Sequence, residues 1–134
     1  MENSFAFQLV LDTPFEDAVE QVTAALKDEG FGVLTKIDVK ATLKEKIDQD
    51  FEPYVILGAC NPPLAHLAMV SEPLVGLLLP CNVTVRQTKS GAEVSIINPS
   101  TMLSVDLLKD NPGVSQVADE ARQRLEKVAA ALER

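Results

Sequence analysis

The hairpin sequence VTVRQTKSGAEVSI, residues 83–96, decides the fold. Every second residue in both of its arms is apolar, namely Val83, Val85, Val94 and Ile96. That period of two matches the alternation of side chains along a β-strand, and Lys89-Ser90-Gly91 supplies the turn between the arms. The segment therefore predicts a β-hairpin with one buried and one polar face, which is typical of an antiparallel sheet covered on a single side.

Further strands and helices flank this hairpin. Alternation predicts strands over residues 5–11 and 31–37, and the apolar run 54–59 predicts a strand that is buried on both faces. Start signals and apolar spacing predict four helices, which begin near Thr13-Pro14, Asp38, Asn61-Pro62 and Val114. The apolar side of the third helix consists of Leu64, Leu67, Ala68 and Val70. The pattern leaves the conformation of Met102 to Leu108 undefined.

The order of these elements predicts an α+β protein. Because the strands alternate, the sheet should be largely antiparallel with about five strands, and the helices should form a second layer on one of its faces. No linker, repeat or low-complexity tract divides the chain, so residues 1–134 are predicted to form a single domain.

The charge balance disfavours two classes of partner. The chain has 12 Lys and Arg against 20 Asp and Glu, a formal charge of −8, which repels phosphate backbones and anionic lipid head groups. We therefore expect no nucleic-acid partner and no membrane contact. The N-terminus has no signal-peptide pattern, and the longest uncharged apolar stretch, Pro73 to Val85, is shorter than the ~20 residues that cross a bilayer. A cytoplasmic location with reduced thiols is the resulting expectation.

Cys60 lies where the predicted buried strand ends and the helix at Asn61-Pro62-Pro63 begins. A thiolate at that position would face the unpaired amides and the positive end of the helix, which lowers the pKa of a cysteine and makes it a nucleophile or a soft-metal ligand. The alternative is that Cys60 is a small buried side chain in a tight junction. The sequence leaves both interpretations open.

Cys81 and His66 are the other candidates for chemistry. If the two sulfurs converge at one end of the sheet, Cys60 and Cys81 could form a dithiol, a transient disulfide or a two-coordinate site for a soft metal such as copper(I). Two cysteines and one histidine without CxxC spacing make structural zinc improbable, so no metal or other cofactor is predicted. His66 is the only histidine in the chain, and histidine is the residue type best suited to act as a general base near neutral pH. The alternative is that His66 is an exposed residue of the helix without a chemical role.

Three segments carry a family resemblance. DVKATLKEKI (38–47), ILGACNPPLAH (56–66) and LLLPCNVTV (77–85), in this order and spacing, resemble the bacterial and archaeal family called domain of unknown function 302. Both cysteines fall within these segments, each followed by an asparagine. The resemblance implies a small cytoplasmic α+β protein, similar in outline to TATA-binding-like folds, homodimeric and without an established activity. Fold similarity does not transfer DNA binding, and the acidic charge argues against it.

Together these features predict a homodimeric binding or interaction module and, as the less favoured alternative, an enzyme. Its pocket would take a small molecule or a partner protein, and its candidate ligand-binding residues are Cys60, Asn61, Pro62, His66, Cys81 and Asn82. The alternative is a thiol-dependent redox or soft-metal-handling protein in which Cys60 attacks and Cys81 resolves. A third interpretation makes the same residues a packing junction at the dimer interface. Each functional version requires the two thiols to lie beside one accessible hollow.

Overall fold

The computed structural model describes residues 4–133. Five strands form one antiparallel sheet in the spatial order β1-β5-β4-β3-β2. The strands are β1 (Ala6–Leu11), β2 (Gly32–Asp38), β3 (Tyr54–Cys60), β4 (Cys81–Gln87) and β5 (Ala92–Ile97). The helices are α1 (Phe15–Asp28), α2 (Val39–Ile47), α3 (Pro62–Ser71), α4 (Pro99–Met102) and α5 (Pro112–Leu132), with 3₁₀ turns at Pro73–Leu78 and Asp106–Leu108. The predicted α+β class with an antiparallel sheet is confirmed.

One face of the sheet forms the core. Along β4 and β5 every second side chain is buried, in the alternation that the hairpin sequence predicts. The buried sides of α1, α3 and α5 pack against this face; the largest fully buried side chains there include Leu26, Leu57, Ile96, Leu125 and Val128. Burying each such side chain stabilises the fold by about 1.5–3 kcal/mol. The opposite face carries the polar residues of the same strands and is left uncovered by these helices.

The expectation that β3 is buried on both faces is wrong. Val55, Leu57 and Ala59 are buried against the helices, whereas Tyr54 and Ile56 on the opposite face are only partly buried. β3 lies inside the sheet, between β4 and the edge strand β2. The apolar run thus reflects an interior position in the sheet and not a second covering layer.

A β-bulge divides β2. Val33 pairs with Ala59, but the register shifts before Thr35, which pairs with Gly58. Thr35 and Ile37 therefore share the uncovered face with Gly58, although simple alternation places them beside Val33. Among the described residues, none from Gly32 to Tyr54 is buried. The β2–α2 part of the chain contributes little to the core for that reason.

Asparagine and aspartate side chains begin most helices. Asp38 Oδ1 accepts a hydrogen bond from Ala41 N at 3.0 Å, as predicted for the start of α2. Asn111 does the same for α5 through Val114 N at 3.1 Å. The helix predicted to begin near Thr13-Pro14 starts without a side-chain cap, because its N-cap residue is Pro14. Met102 to Leu108, undefined by sequence, comprises the end of α4 and a 3₁₀ turn.

Gly91 fixes the closest approach between the hairpin turn and the end of β1. A Cβ at this position would lie 2.0 Å from the carbonyl oxygen of Leu11. We expect Gly91→Ala to lower the free energy of unfolding by about 1–3 kcal/mol, because the backbone must move to make room. Urea denaturation measures the loss. Gly32→Ala is the matched control, since a Cβ there meets nothing within 4 Å, and equal stability of both variants would contradict the predicted contact.

Candidate functional site

The junction between β3 and α3 holds the first cysteine–asparagine pair. Asn61 is the N-cap of α3, and its Oδ1 accepts a hydrogen bond from Leu64 N at 3.2 Å. Asn61 is also the only buried polar residue among residues 4–133, with 5% of its surface exposed. A Cβ on Gly30, which has φ +84°, would lie 2.8 Å from Asn61 Nδ2. The side chain of Asn61 is therefore held in a close-packed niche as part of the helix start.

The two cysteines lie on the wall of one small cavity. Cys81 pairs with Ala59 across β3 and β4 and is buried, while Cys60, one residue beyond Ala59, is partly buried. The cavity measures about 30 Å³, and its other walls are almost entirely apolar, with Phe31, Leu64, Leu79 and Leu103 among them. A space of this size admits a water molecule but not an organic ligand.

Burial governs the chemistry of both thiols. It raises the pKa of Cys60, and it raises the pKa of Cys81 to about 11, with a further contribution from repulsion by Cys60. Of the two interpretations that the sequence leaves open for Cys60, this raised pKa favours the small buried side chain over the activated thiolate, because loss of solvation in apolar surroundings disfavours the charged form. Both groups are protonated at neutral pH, so neither is an activated nucleophile.

The remaining predicted residues are dispersed. Pro62 and His66 are exposed on α3, and His66 does not line the cavity. Asn82 is exposed on the uncovered face of the sheet. Within the described part of the chain, no group of three or more His, Cys, Asp or Glu side chains is arranged to hold a metal ion.

A larger hollow, which the sequence did not reveal, lies on the uncovered face. It measures about 460 Å³ and is lined by residues of β1, β3, β4 and β5, including Tyr54, Asn82, Thr84, Arg86, Glu93 and Ser95. In the sequence, the polar residues of the two hairpin arms were the available indication of this hollow. Alternation assigned them to a solvated face, and only the pairing of four strands brings them into one hollow.

The charges in this hollow are already paired. Arg86 Nε donates to Glu93 Oε1 at 2.7 Å, and Arg86 Nη1 lies 3.6 Å from Glu52 Oε1. The hydrogen bond to Glu93 is the main cause that raises the pKa of Arg86 above its usual value. The side chains of Asn82 and Thr84 make no hydrogen bond to any described residue. Their uncharged donors and acceptors are therefore free to meet a ligand.

The two cysteine–asparagine pairs give a direct test of these assignments. We expect Asn61→Ala to lower the free energy of unfolding by about 2 kcal/mol, because α3 loses its cap and a buried N–H group loses its partner. Asn82→Ala, the matched control, should change it by less than about 0.5 kcal/mol. Guanidinium denaturation of both variants measures the difference. Equal losses would contradict a capping role confined to Asn61.

The comparisons with known proteins agree on one family. The model of the family described as Domain of unknown function DUF302 matches residues 7–132. No curated protein matches the chain. The crystal structure of an uncharacterized conserved DUF302 protein from Bacillus stearothermophilus is 29% identical, covers 98% of each chain and superposes with a TM-score of 0.82. In the described residues, no helix has the length and apolar character to span a membrane. The chain belongs to the DUF302 family.

Proposed function

We propose that this protein is a non-catalytic binding module that takes a small uncharged polar molecule in the hollow on the uncovered sheet face and works as a homodimer. The contrast between the sheet-face hollow and the cavity beside the two thiols carries this proposal. The cavity beside the thiols measures about 30 Å³, whereas the sheet-face hollow measures about 460 Å³. Only the second falls within the range of roughly 300–1,000 Å³ that small-molecule sites occupy.

The balance of charge in the hollow supports an uncharged ligand. The guanidinium of Arg86 is shared by the carboxylates of Glu93 and Glu52, so no described residue that lines the hollow keeps an unpaired cationic group for an anion. The available groups are the amide of Asn82 and the hydroxyl of Thr84, beside apolar surface from Ile97. A molecule with hydroxyl or amide groups on one side and apolar surface on the other matches this lining.

The rigidity of the hollow also supports a binding role. Its polar side chains come from neighbouring strands in fixed register, with Thr84 opposite Ser95 and Arg86 opposite Glu93. Gln8 Nε2 donates to Ser95 Oγ at 3.2 Å and so ties β1 to the same row. Groups held on a sheet lose little conformational entropy when a ligand binds, which favours affinity.

Exposed apolar side chains support the homodimer. Those with more than half of their surface exposed are Phe5, Val10, Leu34, Ile47, Leu67, Val70, Leu74 and Leu77. Single exposed apolar residues are ordinary, but groups of them mark surfaces that a partner covers. A second copy of the chain supplies such a cover without a further component.

Titration by NMR tests the ligand site. We expect an uncharged probe, glucose or uridine, to shift the backbone amide signals of residues 82–86 and 93–95, and inorganic phosphate to leave them unchanged. Asn82→Ala and Thr84→Val should each weaken binding by roughly 5-fold through one lost hydrogen bond. Val10→Ala, on the same face but outside the hollow, should bind like the parent. Shifts caused by phosphate alone, or by no probe, would reject the proposed site.

One observation favours the thiol alternative, namely that Cys60 and Cys81 line the same cavity. In that alternative the two thiols act in redox chemistry or hold a soft metal ion. Both uses require thiolates, and the raised pKa of each thiol keeps the thiolate scarce at neutral pH. The binding module is the better-supported function for this reason.

Alkylation against pH distinguishes these two functions. We expect Cys60 to react with iodoacetamide more slowly at pH 7 than a free cysteine does, and faster as the pH rises past its raised pKa. Cys81, with its pKa at about 11, should react only at still higher pH or after unfolding. Peptide mass spectrometry assigns each site, and the guanidinium-unfolded chain is the control. A Cys60 rate that already reaches its plateau below pH 8 would instead support the thiol function.

A further inference from the structure

An exposed apolar patch lies along α3 and the following 3₁₀ turn. Leu67 and Val70 of α3 are 56% and 71% exposed, and Leu74 and Leu77 of the turn are 52% and 82% exposed. We call these four residues the α3 patch. The sequence assigns Leu67 and Val70 to the apolar side of α3 together with Leu64 and Ala68, but only Leu64 and Ala68 are buried. Two side chains of this apolar side therefore lie on the protein surface.

The α3 patch lies on secondary structure that is packed against the rest of the protein. Val75, between its members, is fully buried, and α3 packs along α5. Asn111 Nδ2 donates to the carbonyl oxygen of Ser71 at 3.2 Å, which joins the end of α3 to the start of α5. A surface that is already ordered loses little entropy when a partner covers it.

The distribution of charge favours a second copy of this chain as the partner of the α3 patch. From Pro62 to Pro80 the chain contains no Lys or Arg and a single carboxylate, Glu72. That carboxylate accepts a hydrogen bond from Leu74 N at 2.9 Å and is thereby turned toward its own backbone. Two copies of a chain with a formal charge of −8 repel each other over most of their surfaces, and this segment, with its single carboxylate, is where they approach at least cost.

Two further arguments, from two-fold symmetry and from the charge pattern of membrane-binding helices, also favour a second copy of the chain as the partner. In a two-fold dimer the same surface faces itself, so an apolar patch is self-complementary whereas a charged patch is not. Helices that lie on membranes carry Lys and Arg around their apolar side, and the α3 patch has none. We propose that the α3 patch is the interface through which two copies of this chain form a two-fold dimer. This inference rests on the homodimer of the proposed function and adds its location.

Sedimentation velocity of the full chain tests the interface. We expect the parent protein to sediment as a dimer, with twice the chain mass of 14.5 kDa. Val70→Glu and Leu77→Glu should each raise the dissociation constant by roughly 30-fold or more, because each substitution places two carboxylates in an apolar contact. Both positions are exposed, so the variants should keep the parent's circular dichroism. Leu34→Glu, at a position 66% exposed on the edge strand, is the matched control and should remain dimeric.

Each of the other outcomes would overturn the α3 patch as the interface, the homodimer itself, or both. Variants that stay dimeric at position 70 or 77 would overturn the α3 patch as interface while leaving the proposed homodimer intact. A monomeric parent would overturn both, and the ligand site would still stand or fall by its own titration. Dissociation by Leu34→Glu alone would assign the interface to β2. Co-sedimentation of a monomeric parent with phosphatidylglycerol vesicles, abolished by Val70→Glu, would assign the patch to lipid.

Discussion

The helices that bury side chains against the five-stranded sheet, α1, α3 and α5, all pack on the same face, and the other features follow from that constraint. Each strand buries one row of side chains and presents the next row on the uncovered face. The covered row makes the core, and the uncovered row brings Asn82, Thr84 and Arg86 beside residues of β1, β3 and β5. Because the strands that carry this row are locked in register by the core beneath, the hollow is preformed. The same packing buries Cys81, partly buries Cys60 and raises the pKa of both thiols.

The two cysteine–asparagine pairs look equivalent in sequence but do different things. Cys60-Asn61 spans the passage from strand to helix, where Asn61 caps α3 and lies against Gly30. Cys81-Asn82 lies within one strand, so Cys81 points into the core and Asn82 points to the uncovered face. Residue spacing thus brings the two sulfurs to one cavity while separating the two asparagines. Together, the two cysteine–asparagine pairs supply the N-cap of α3, two side chains of the small cavity's wall and one residue of the sheet-face hollow.

Sequence patterns predicted the secondary-structure features that depend only on residues close together in the chain. The β4–β5 hairpin, α1, α5 and the Asp38 cap follow from periodicity and capping chemistry that act within a few residues. The bulge in β2 escaped prediction because the register of Thr35 is set by its pairing with Gly58. The exposure of Val70 escaped it because an apolar helix residue does not reveal whether any element covers it. The sign of the shift in the pKa of Cys60 depends on apolar walls contributed by segments distant in sequence.

The central claim is that the thiols serve packing, while binding and association belong to the uncovered surfaces. A cysteine-free chain, Cys60→Ala with Cys81→Ala, tests it most directly when its melting temperature, sedimentation and amide NMR spectrum are compared with those of the parent. The account predicts a lower melting temperature, because buried side-chain volume is lost. It also predicts an unchanged oligomeric state and unchanged responses to the probes over residues 82–86. A folded cysteine-free chain that loses its probe response or changes its oligomeric state would contradict the account.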